Sequence, residues 1–279
     1  MNAQIKACYK KEYLAFFRAK RFLILALIFV GWAILGPLLI RGLGVAMEIL
    51  TPVYDEMGMD VTGMTEMFGA NASMGVISAI SDMSSIGLIS FLLLINNFAG
   101  GEQKKRSIII PKTSGLNSKA YLTPKYIIYP LTAFGLAIIA SFAAWGISAL
   151  VFEVNDVTLQ GILTAGILAG VSLMFYICIH ITIGTATGRP GTSAVICIAT
   201  SLILPNMFAV FGSELIYNPF ILNIMATSVV VDNFAPLFAL QEIIATIAIT
   251  IVLMGILYFI ALFAQNAKKI DNSGNEIRL

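Results

Sequence analysis

Residues able to do acid–base or metal chemistry are few and widely spaced in this 279-residue chain. His180 is the sole histidine, and it lies deep in an apolar run with no Cys, Asp or Glu three or four positions away. Zinc hydrolysis needs several ligands at short spacing, as in H-E-x-x-H, and no such set is present. His180 is therefore either a relay or contact residue or a buried side chain hydrogen-bonded to a neighbouring helix. The isolation of the ring favours the second reading, although ionisable groups inside a membrane are functional by default. Asp82 would be an ion site if it were buried, but its place at the start of an apolar run predicts a wet helix terminus. The cysteines Cys8, Cys178 and Cys197 lack both metal-ligand spacing and a disulfide pattern, so all three are expected to be reduced and structural.

The stretch GTATGRPGTS, Gly184 to Ser193, keeps part of the phosphate-loop spacing A-x-x-x-x-G-K-[ST] through Ala186 and Gly191-Thr192-Ser193. Thr192 stands where the lysine must be and no strand precedes it, so a tight turn between two helices is expected, with no ATP hydrolysis by this chain.

The elements that must position these residues follow from composition. Hydrophobic residues make up 58% of the chain and charged ones only 11%, far from the soluble norm. A membrane span needs about 20 mostly apolar residues, and six runs qualify: 22–40, 83–99, 126–152, 159–184, 193–211 and 243–265. The fold class expected is all-α, a polytopic integral membrane protein forming a single domain over 1–279. The first apolar run follows charges that reach Arg21 and ends at no small-x-small site, unlike a cleavable signal peptide.

Lysine and arginine orient the spans. Six crossings place Lys6, Lys10, Lys11, Arg18, Lys20 and Arg21, the 100–125 loop, Arg189 and the tail on one side, leaving only Arg41 of the 17 basic residues on the other. That other side carries acids such as Glu48, Glu66, Glu153 and Glu242. Both termini are therefore expected in the cytoplasm. Ahead of the first span, Ile5, Tyr9, Tyr13, Phe16 and Phe17 recur at helical spacing beside Lys6 and Lys10, which predicts an amphipathic helix lying at the interface. The external segment 41–82 has room for a short helix. A second external segment, 212–242, is too apolar for a solvated loop, and 220–231 reads equally as a half-helix dipping into the bundle or as a surface helix.

Packing signals are weaker. Gly166 and Gly170 form a G-x-x-x-G pair that lets another helix approach. Pro37, Pro130 and Pro205 are expected to kink their helices, and Asn96, Asn97 and Asn206 need partners in the bundle. The cytoplasmic loop 100–125 is long and basic around an apolar centre, Ile108-Ile109-Ile110, a pattern suited to docking another protein.

Three regions together resemble the permease subunits of ABC type-2 transporters. The run YKKEYLAFFRAKRFLILALIF, Tyr9 to Phe29, resembles the family's elbow helix entering its first span. The loop resembles the pattern E-x-x-x-G-T, seven residues, G-[LV]-S-R and a later lysine, with Glu102, Ser107 for the threonine, Gly115-Leu116 and Lys125 in place. Arg106 replaces the usual glycine, Asn117-Ser118 replaces Ser-Arg, and Pro111 interrupts the middle. The six-span layout, with an apolar external segment between spans five and six, is the third.

The resemblance implies a permease that dimerises with itself or a paralogue and binds two separate ATPase subunits, which hold the ATP and magnesium. Glu102, Lys104, Lys105, Arg106 and Ser107 would be the docking region. His180, Asn96, Asn97 and Asn206 would be the candidate polar residues of a transport path. It further implies a multi-pass protein of a bacterial cell membrane that exports an amphipathic or antimicrobial peptide or another hydrophobic substrate. A secondary carrier or channel is the alternative; it would normally show an inverted repeat or several mid-span charges. An intramembrane enzyme lacks a catalytic set.

Overall fold

The computed structural model describes residues 2–57, 71–105, 107, 111, 113, 115–152, 156–210, 217–230, 238–270 and 276–278. Among these described residues, six helices are long and apolar enough to cross a bilayer. With α1 the amphipathic helix Asn2–Tyr13, the spans are α2 (Arg21–Glu56), α3 (Ala72–Ile95), α4 (Ser118–Val151), α5 (Leu159–Thr187), α6 (Pro190–Val210) and α8 (Leu240–Asn266). The fold is thus an all-α, six-span membrane protein with an amphipathic helix at its N-terminal edge. Two three-residue strands, Lys268–Ile270 and Glu276–Arg278, pair antiparallel after the last span.

The helices overrun the apolar runs because helix propagation costs little once a span has nucleated. α2 continues through the expected external segment to Glu56, and α3 begins at Ala72, eleven positions before the expected start at 83. At about 1.5 Å per residue, Asp82 therefore lies roughly 15 Å along α3 and not at its end. The expected wet terminus is corrected to a half-buried carboxylate in the middle of a span, followed by one wide turn, Met83–Gly87.

α5 is the central helix. It packs against α4, α6, α8 and the half-helix α7 (Leu222–Ser228), and is buried over most of its length. The G-x-x-x-G pair finds its partner within the same chain: a Cβ on Gly166 would meet Ser141 at 3.3 Å, and one on Gly170 would meet Phe134 at 2.6 Å, both on α4. α2 and α3 cross the same way, with Gly36 against Ala79 and Gly75 against Pro37. Pro37, Pro130 and Pro205 all fall inside helices.

The 220–231 alternatives are decided by depth, within the part of that segment that is described. Asn218 caps the turn Pro219–Ile221, and α7 follows. The Asn223 side chain bonds Ser84 at 2.5 Å, about 18 Å along α3. Phe220 packs on Phe175 and Tyr176, about 24 Å along α5. α7 then returns toward the end where α5 starts, its Val229 carbonyl 2.9 Å from where a Gly161 Cβ would stand. It is a half-helix inside the bundle, covered by protein as irregular backbone at that depth must be.

Candidate functional site

At the opposite end of the bundle, three segments meet in one buried cluster of charge. Lys125 on α4 is fully buried, and its ammonium donates to Glu12 Oε1 at 2.8 Å and to Glu102 Oε2 at 3.1 Å. Tyr129, one turn along α4, donates its hydroxyl to the other Glu12 oxygen at 2.5 Å. Lys11 closes the circuit by donating to Glu102 Oε1. Two ammonium and two carboxylate groups balance, and most of their hydrogen-bonding capacity is met inside the cluster. That is the condition under which burial of an ion pair is tolerated. The rings of Tyr121 and Phe98 lie 4.7 and 5.6 Å from the ammonium, and Arg21 stacks on Phe98 at 4.6 Å.

Local structure explains how these side chains arrive. After Arg18 the chain turns through Lys20, which adopts a left-handed conformation (φ 58°), so α1 leaves the axis of α2 and lies against α4. The inward face of α1 runs through half-buried Cys8 and buried Glu12, and continues to buried Phe16 in the wide turn Leu14–Arg18 that follows. Tyr9 and Tyr13 of the expected aromatic stripe are on the exposed flank, at 39% and 48%. Glu102 is delivered by a wide turn, Asn97–Gly101, in which Gly100 takes φ 125°. Only glycine fits there, because its neighbour is the backbone of Gly184 on α5.

Of the five docking residues, Glu102 belongs to this cluster, Lys104 and Lys105 are exposed beside it, and Ser107 bonds back to the Glu102 carbonyl at 3.1 Å. Arg106 and the apolar centre 108–110 lie outside the described residues. Glu12 was not distinguished by sequence reasoning. An acid at its position among the six bases of the N-terminal segment was the signal, visible only as a sign reversal.

Burial works to raise the Glu102 carboxyl, but Lys125 and Lys11 outweigh it and hold the group below its ordinary 4.5. Burial likewise works against the Lys11 ammonium, and Glu102 and Glu12 outweigh it, holding it above its ordinary 10.5. A lowered carboxyl stabilises the fold above its unfolded value and loses that contribution as pH falls. A raised ammonium contributes below its unfolded value and loses that as pH rises. The melting temperature of the solubilised chain is therefore expected to hold level between about pH 5 and 10 and to fall on both sides. A chain titrated in detergent whose melting temperature does not fall below pH 4.5 would show that Glu102 contributes nothing. Burial also pushes the Cys8 thiol up, and no described cysteine is in a disulfide.

The four candidate path residues are not gathered. His180 is fully buried, with Nδ1 2.9 Å from Ser193 Oγ on α6. The Ser193 hydroxyl donates to the His180 carbonyl at 2.7 Å, so Nδ1 must carry the proton it donates to Ser193, a tautomer assigned from the network. The histidine is thus hydrogen-bonded to a neighbouring helix. Asn96 is half-buried, with an inward oxygen that meets no hydrogen-bond donor. Asn97 and Asn206 are exposed, and Asn206 bonds within its own helix to the Leu202 carbonyl at 2.7 Å. Gly184–Ser193 is the expected inter-helix turn: α5 ends at Thr187, Gly188 is left-handed (φ 67°), and Pro190 opens α6. Among the described residues no three of His, Cys, Asp and Glu come together.

Fold and cluster together define a multi-pass helical membrane protein whose N-terminal helix is tied by a buried ion pair, Glu12–Lys125, to its third span and by a more exposed one, Lys11–Glu102, to the loop between its second and third spans. Comparison with protein-family models, with curated proteins and with solved structures returned no match.

Proposed function

We propose that this chain is the permease subunit of an ATP-driven ABC type-2 exporter. The observation that carries the reading is the Glu12–Lys125–Glu102–Lys11 cluster. It couples the elbow-like helix, the loop and the third span mechanically, so that force applied at the loop reaches helices on both sides. Glu102 and Lys125 are also the residues that open and close the loop pattern in the resemblance, and their contact at 3.1 Å is a physical reason for that spacing. Both termini lie in the cytoplasm, and two permease chains meet two soluble ATPase subunits that hold ATP and magnesium. The chain has no ATPase site of its own, and the cargo is an amphipathic or antimicrobial peptide or another hydrophobic molecule.

Docking of the ATPase falls to the exposed lysines, since Glu102 is committed within the chain. Lys104→Glu with Lys105→Glu is expected to leave insertion and melting unchanged while lowering stimulation of the co-purified ATPase by about tenfold, as opposed charges do at a rim. Unaltered stimulation would remove the docking assignment. Full transport by the chain alone in liposomes without ATP would replace the exporter with the carrier reading.

A further inference from the structure

α1 and α4 leave between them a groove of about 380 Å³ that runs from the charged end of the bundle into its apolar zone. Tyr13, Phe17 and Phe22 line one wall, and Leu131, Gly135 and Ile139 the other. Leu131 and Ile139 are 54% and 56% exposed. From Ile127 to Ile139 the groove follows α4 for about 18 Å, close to the depth of one leaflet of a hydrocarbon core roughly 30 Å thick. At its polar end it continues into a second hollow beside Lys6 and Lys10 through the shared rings of Tyr9 and Tyr13. The third lysine of α1, Lys11, is spent on Glu102, whereas no described carboxylate pairs with Lys6 or Lys10. One end is cationic, the other apolar for one leaflet, and tyrosines mark the boundary where interfacial aromatics belong.

We infer that this groove holds an anionic phospholipid, its headgroup on Lys6 and Lys10 and one acyl chain along α4. Gly135 makes room for the chain, since a Cβ there would meet nothing within 4 Å. The site does not depend on ATPase coupling.

Native mass spectrometry of the full chain, purified from equal amounts of phosphatidylglycerol and phosphatidylcholine with identical acyl chains, tests the inference. Phosphatidylglycerol is expected to be retained in preference, at most roughly thirtyfold for two lysines. Lys6→Gln with Lys10→Gln should abolish the preference, and Gly135→Leu should lower the total lipid retained at unchanged melting temperature. Equal retention of both lipids by the parent, or parent-like preference in the lysine variant, overturns the inference. So does a dimer that closes the groove without lipid. Failure of the ATPase experiment above would leave these outcomes unaffected.

Discussion

Lys125→Ala is expected to lower the melting temperature of the solubilised chain by about 10 °C, the largest effect of any single charge removal. The substitution leaves Glu12, which is 2% exposed, without its close cation and with only the half-exposed Lys11 at 3.7 Å, and breaking a buried pair in this way costs about 3–5 kcal/mol. In a chain of this size each kcal/mol moves the midpoint by about 2–4 °C. Adding Glu12→Gln should recover part of the loss, because a neutral amide no longer needs the cation and can still accept from Tyr129. Lys104→Ala, at an exposed site, serves as the comparison and should stay within about 0.5 kcal/mol. Should Lys125→Ala melt with the parent, the buried cluster is not what holds α1 and the loop to α4.

Gly184→Ala is expected to abolish accumulation of folded protein. A Cβ at Gly184 would stand 1.6 Å from the Ala99 carbonyl oxygen, and one at Gly100 would stand 2.1 Å from the Gly184 carbonyl. Both obstacles are backbone, so no side chain can rotate aside, and α5 must separate from the turn that delivers Glu102. Overpacking in a core ordinarily costs about 1–3 kcal/mol, and here the backbone shift adds to it. Gly255→Ala is the control: nothing lies within 4 Å of its Cβ position, and the change should be neutral or mildly stabilising through helix propensity. Fluorescence-detected size exclusion of tagged chains reads both variants. A monodisperse Gly184→Ala peak at parental height would mean that α5 and the turn do not cross this closely.

The number of spans was legible because the bilayer imposes a length and a polarity on each helix independently of its neighbours. The amphipathic helix was legible in the same way, from the spacing of Tyr9, Tyr13 and Phe16. Its orientation was not: the aromatic stripe and the buried face differ by the width of Glu12, and only the position of Lys125 explains why an acid is buried there. Asp82 was misplaced because polar serines (Ser78, Ser81, Ser84 and Ser85) dilute the first half of α3, so hydropathy starts the span too late. His180 was placed correctly inside a span, but its partner Ser193 lies on the next helix, across a turn whose path the spacing does not specify.

Sequence alone determined six apolar helices, a basic edge shared by the N-terminus and the 100–125 loop, and a tight turn within Gly184–Ser193. These are consequences of local composition and of solvent, which act on each segment separately. Tertiary structure alone decided that Glu12, Glu102, Lys125 and Lys11 neutralise one another, that α7 turns back inside the bundle, and that Gly100 meets Gly184. Each of these joins residues far apart in the chain, where the energy depends on distances of a few ångströms that no periodicity encodes. The residues whose types allow chemistry, His180 above all, are packed into the frame, and Lys125, one of the bases that orient the chain and close the loop pattern, is the buried centre of the charge cluster.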